Sequence, residues 1–128
     1  MKIAVLIARI LLGLVFVVFG FNGFLHFMPM KMPTGALAAQ YFGTLYLSHY
    51  LVPVMLLQII GGALLLSGRF IPLALVILGP VIVNIVLYHS LMAPEGVPLA
   101  LIVTLLWLII FFGVRKAFAG IFVSKVEI

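Results

Sequence analysis

The run from Ile3 to Leu25 holds a single charged side chain, Arg9. It is longer than the roughly 7–15 residue apolar core of a secretory leader. It also meets the requirement of about 20 apolar residues for crossing a bilayer. Inside lipid every backbone N–H and C=O must be paired within the protein, which leaves the α-helix for a run of this kind. Three more such runs follow, over 51–66, 72–92 and 97–113. Of the 128 residues 67% are hydrophobic and 7% charged, with a mean hydropathy of +1.50. A water-soluble fold of that size has too little interior to hide so much apolar surface. The expected architecture is therefore all-α: one integral membrane domain, a four-helix bundle of four spans over 1–128. Met1-Lys2 and the later Ala36-Leu37-Ala38 imitate a cleavable leader, but the triplet lies too far from the run, and the first span is expected to remain uncleaved.

Between the first two spans lies His26-Phe-Met-Pro-Met-Lys-Met-Pro33, where two prolines and then Gly35 end any helix. A short interfacial helix is expected over 36–47, capped by Thr34 or Gly35 and anchored by Tyr41 and Tyr46. Ser67-Gly68-Arg69 and Ala93-Pro94-Glu95-Gly96 supply the other two turns. Residues 114–128 are expected to form an amphipathic tail on the membrane surface. Lys2, Arg9, Arg69, Arg115, Lys116 and Lys125 fall on one side of this topology and Lys31 alone on the other. The positive-inside rule then places both termini in the cytoplasm.

The net charge of +5 raises a nucleic-acid reading, but the basic residues are scattered at segment ends and form no binding face, so nucleic acid is not a partner. There are no cysteines, hence no disulfide and no thiolate metal site. Aspartate is absent and the acids are Glu95 and Glu127. No carboxylate pair, phosphate loop or HExxH occurs, so no catalytic residue is assigned. A proton-driven pump would want an intramembrane carboxylate, and the spans hold none.

The polar residues within the spans are few and grouped. Pro80 removes an amide donor and should leave the Val76 carbonyl seeking another partner. Pro80, Asn84 and Tyr88 recur at four-residue intervals, a stripe expected to face neighbouring helices. Asn22, Gln58, Asn84, Tyr88 and His89, with His26 nearby, are expected to line a site for a small amphipathic molecule. The bland alternative is that these groups bond one another and hold the helices in register. Arg9 either snorkels to the boundary or contacts carbonyls or an anionic ligand. A faint internal echo, Asn22-x3-His26 against Asn84-x4-His89, fits two parallel hairpin repeats.

Two further readings use the outer-half donors. His26, Met28, Met30 and Met32, with His89 and Met92, form a soft thioether and imidazole set suited to Cu(I), although methionine near proline is commonly flexible filler. Histidines from two spans also match the donors of a b-type haem. On the first span Gly13, Gly20 and Gly23 share a face that lets another helix approach closely, the basis for a purely structural partner or homo-oligomer. Thr104 is expected to bond back to its own helix.

The runs Arg9-Ile-Leu-Leu-Gly13 to Gly20-Phe-Asn-Gly-Phe24 and Leu57-Gln-Ile-Ile-Gly-Gly-Ala-Leu-Leu-Leu-Ser-Gly-Arg69 resemble the DoxX family of small four-span bacterial membrane proteins. The likeness covers the first three spans well and the fourth loosely. It implies a redox-associated accessory subunit or a binder of a quinone-like molecule, because the family takes its name from a subunit of an archaeal oxidase and thiosulfate:quinone oxidoreductase system. Family members often carry lysine where this chain has Gly23 and glutamate where it has Gln58. Loss of both together is expected if the two form an ion pair, since removing one partner strands a buried charge.

Overall fold

The computed structural model describes residues 1–29 and 33–128. Five α-helices and two 3-10 helices account for most of them: α1 (Lys2–Leu25), α2 (Ala36–Leu47), α3 (Leu51–Ser67), α4 (Ile71–Leu91) and α5 (Val97–Val114), with 3-10 turns at Pro94–Gly96 and Arg115–Phe122. The expected boundaries hold to within one residue.

Each helix ends where its sequence demands. After α1, His26 turns left-handed (φ 52°) and donates its N–H to the carbonyl of Asn22, ahead of Pro29. Gly35, in extended conformation, opens α2, and His49 (φ 63°) turns the chain between α2 and α3. Gly68 (φ 73°) closes α3, where a left-handed residue costs glycine least. The Ser67 hydroxyl donates to the Leu64 carbonyl and accepts the Arg69 N–H, tightening the same turn.

The four long helices close into a ring in which α1 packs on α3 and α5, and α4 packs on the same two. Leu12, Leu65, Leu75, Leu78 and Ile110 are fully buried at its centre. Outside that core the surface is greasy along every helix, with Leu11, Leu56, Val83 and Leu105 each about half exposed. Such a surface is intelligible only against lipid. α1, α4 and the stretch Pro94–Phe122 are each long and apolar enough to cross a membrane. α3 is shorter, 17 residues or about 25 Å against a hydrocarbon layer of ~30 Å. Together with α2, from which it turns by 86°, it is long and apolar enough for a broken span or a re-entrant loop.

The α1–α3 contact is backbone on backbone. A Cβ added to Gly13 would stand 2.9 Å from the Gly62 carbonyl oxygen, and one on Gly20 would stand 2.7 Å from Ile59 Cγ1. Gly23 lies equally close to the Met55 side chain. The glycine face expected to receive a second chain is thus covered by α3 of the same chain, because the hairpin partner reaches it first. The tail is amphipathic and exposed except at one residue. Arg115–Phe122 is 3-10 helix, and Phe118 is buried against Phe111 with ring centroids 5.1 Å apart.

Candidate functional site

Call the end of the bundle where α1 and α4 finish and α3 and α5 begin the α2 end. There the helices border an open cavity of about 870 Å³. Its wall is mostly apolar, from Phe16 and Phe19 of α1, Phe42 of α2 and Val103 of α5. Polar side chains enter it from each remaining direction: His26 at the end of α1, Tyr46 on α2, Gln58 on α3, and Tyr88 and His89 on α4. A smaller hollow of about 330 Å³ adjoins it, sharing Gly23, His26, Tyr46 and Met55 and adding His49.

The local structure fixes several of these groups. His89 Nδ1 lies 3.2 Å from the Ala93 carbonyl oxygen. A carbonyl only accepts, so Nδ1 carries the proton, and in the neutral ring Nε2 is left as an acceptor. Gly96 has no side chain because the imidazole lies against its Cα; a Cβ there would collide with Nδ1 and Cε1. Tyr88 stacks on Tyr41 of α2 at 5.6 Å and meets His89 edge-on at 5.0 Å, tying α2 to the rim. Asn22 is fully buried; its Oδ1 accepts the Met28 N–H at 2.8 Å and holds the 26–29 segment in place, while its Nδ2 has no partner among the described residues.

The expected site residues therefore divide. His26, Gln58, Tyr88 and His89 all line the cavity, His26 after α1, Gln58 on α3 and the other two on α4, and Asn22 holds the 26–29 segment beside it. Asn84 does not join them. It is exposed, and its amide donates to the Pro80 carbonyl of its own helix at 2.9 Å. The buried face of α4 is Ala74, Leu75, Leu78, Val81 and Ile82, which turns both Pro80 and Asn84 outward. Nor does the carbonyl freed by Pro80 find the interhelical donor. Val76 faces outward, and the Trp107 indole N–H donates to Leu75 one residue earlier, at 3.1 Å. Thr104 does bond back to Ala100, at 2.8 Å. Arg9 lies at the other end, against Gly68.

Of the soft-donor set, His26, Met28 and His89 line the cavity. Met92 is in the turn after α4, where its N–H caps Tyr88, and does not line the cavity. Met30 and Met32 lie outside the described residues. Among the described residues no group of three or more His, Cys, Asp or Glu gathers for a metal.

No family model, no curated protein and no solved structure matches the chain. Its site has to be read from its own side chains.

Sequence reasoning missed the apolar wall and Tyr46. Phe16, Phe19 and Gly23 follow a 3-4 spacing along α1 that places them on one face with His26, a signal available in the sequence. Gly23 and Gln58 both border the cavity. The described lining contains no Asp, Glu, Lys or Arg, so an occupant is neutral or uncompensated. The volume and the mostly apolar wall, with a few donors and acceptors, are those of a ligand-sized cavity.

Proposed function

We propose that the cavity at the α2 end binds a small neutral amphipathic molecule with an oxygenated ring, quinone-like in shape, and that the chain acts as a redox-associated accessory subunit of the DoxX kind. The observation that carries this reading is the convergence of Gln58, Tyr88 and His89 on one uncharged apolar cavity of about 870 Å³. His89 Nε2 accepts from a ring hydroxyl, and the Gln58 amide donates to a ring carbonyl or accepts from a hydroxyl. When bound, a quinone supplies two-electron redox chemistry. The chain itself supplies position and exclusion of water, and the resemblance of its first three spans to the DoxX family supports the redox association. The distribution of lysine and arginine supports both termini in the cytoplasm of a bacterium, with the cavity toward the outer leaflet.

The test is mass spectrometry of small molecules retained by gently purified protein, followed by titration with decylubiquinol. Saturable binding that weakens at least about tenfold in Gln58→Leu plus His89→Phe is the expected result, the scale of losing one or two buried hydrogen bonds. A protein that retains nothing and shows no saturable binding ends the proposal.

A second reading rests on the shared placement of His26, Met28 and His89: a Cu(I)-handling site. Stoichiometric Cu(I) uptake abolished by His26→Ala and Met28→Leu would favour it, and no uptake removes it.

A further inference from the structure

At the end of the bundle away from the cavity, Arg9 is half-buried against the α3–α4 turn. Its guanidinium lies so close to Gly68 that a Cβ on that residue would collide with it. The Nε is fully covered and has no partner, and no side-chain hydrogen bond of Arg9 is present among the described residues. A guanidinium offers five N–H donors in a rigid fork, and leaving them unmet in an apolar setting is costly. No carboxylate of the chain is placed to meet them: Glu95 belongs to the α4–α5 turn at the opposite end and Glu127 to the exposed C-terminal segment.

The surrounding layer is basic. Arg69 follows Gly68 directly and is exposed. Gly113 of α5 packs on Val5 of α1, which brings the end of α5, and with it Arg115 and Lys116, to the same level. Arg115 spends one N–H on the Phe112 carbonyl at 2.6 Å, as a helix C-terminus favours. Beside the guanidinium the surface is apolar, with Leu6, Ile10, Phe70 and Leu73 between 39% and 67% exposed. A planar bidentate cation next to an exposed hydrocarbon face matches both halves of a phospholipid: phosphate on the fork, acyl chain along the leucines.

We infer that Arg9, seated over Gly68 and assisted by Arg69, forms a binding site for the phosphate of an anionic phospholipid. Glycine at 68 serves two needs there, the left-handed turn (φ 73°) and the room for the guanidinium. The apolar flank selects lipid over free phosphate.

Native mass spectrometry of the full chain, released from nanodiscs of phosphatidylglycerol and phosphatidylcholine, reads retention of each lipid. Wild type retains phosphatidylglycerol preferentially. Arg69→Gln lowers that preference about fivefold, the scale of one basic residue at an anionic surface, and Arg9→Gln lowers it more than tenfold. Lys125→Gln removes the same formal charge from the tail and leaves the preference unchanged. Should Arg9→Gln fail to fold, Arg9→Lys serves: it keeps the charge, loses the fork, and retains less of the preference. Equal retention in wild type and the Arg9 variants overturns the site. A thermal stabilisation by inorganic phosphate equal to that by phosphatidylglycerol overturns the choice of lipid.

Discussion

Gly13 of α1 and Gly62 of α3 touch reciprocally: a Cβ on the second would stand 2.8 Å from the carbonyl oxygen of the first. Both obstacles are backbone, so neither can swing aside as a side chain would. Gly62→Ala is expected to force the helices apart and destabilise the bundle by about 1–3 kcal/mol, the range for overpacking. Gly43→Ala, with nothing within 4 Å, is the control and changes little. Unfolding in mixed micelles checks both.

Trp107 joins α5 to α4 through its bond to the Leu75 carbonyl and stacks on Phe111 at 5.4 Å. Trp107→Phe keeps the aromatic surface and deletes the donor. A loss of about 0.6 kcal/mol is expected, the average for an interhelical hydrogen bond in a membrane. A loss of several kcal/mol would mean that ring volume, not the bond, holds the two helices.

Asn84 bonds only to its own helix. Asn84→Leu is therefore expected to leave stability within about 0.5 kcal/mol and to leave ligand retention untouched. A drop in either measurement would restore Asn84 to the site from which its orientation removes it.

Asn22 behaves differently. Asn22→Leu removes the acceptor of the part-buried Met28 N–H and frees the 26–29 segment, at a cost of about 1 kcal/mol. Decylubiquinol binding is expected to weaken in parallel, because that segment carries His26 and Met28 on the cavity wall. Binding at wild-type strength in a destabilised variant would separate the brace from the site.

Gly96→Ala tests the cavity from its far side. The methyl displaces the imidazole of His89 and breaks its bond to Ala93. The expected result is weakened binding with little loss of stability, since the turn at 94–96 is exposed or half-exposed.

The helices were legible because lipid leaves the backbone one solution per apolar run, and because prolines and glycines punctuate the runs. Facing was legible only where packing is dictated by glycine, as along Gly13, Gly20 and Gly23. The stripe of Pro80, Asn84 and Tyr88 misled because an asparagine can satisfy itself four residues back along its own helix, and then has no need to turn inward. The cavity was half legible: its polar members are rare in the sequence and stand out, whereas Phe19 or Val103 looks like any other apolar residue of a span. Arg9 was visible as an anomaly, but its seat on Gly68 depends on a turn fifty-nine positions away that no local pattern reveals.

The corner at Ser48–His49 carries a consequence for the whole chain. Past the 86° turn, α3 runs antiparallel to α1, with Met55 beside Gly23 and Leu66 beside Gly13. If α3 crosses the bilayer alongside α1, the number of traversals is even, and reporter proteins fused to Met1 and to Ile128 are expected to light up in one compartment. Were the corner straightened and α3 laid flat, the count would become odd and the two reporters would part company.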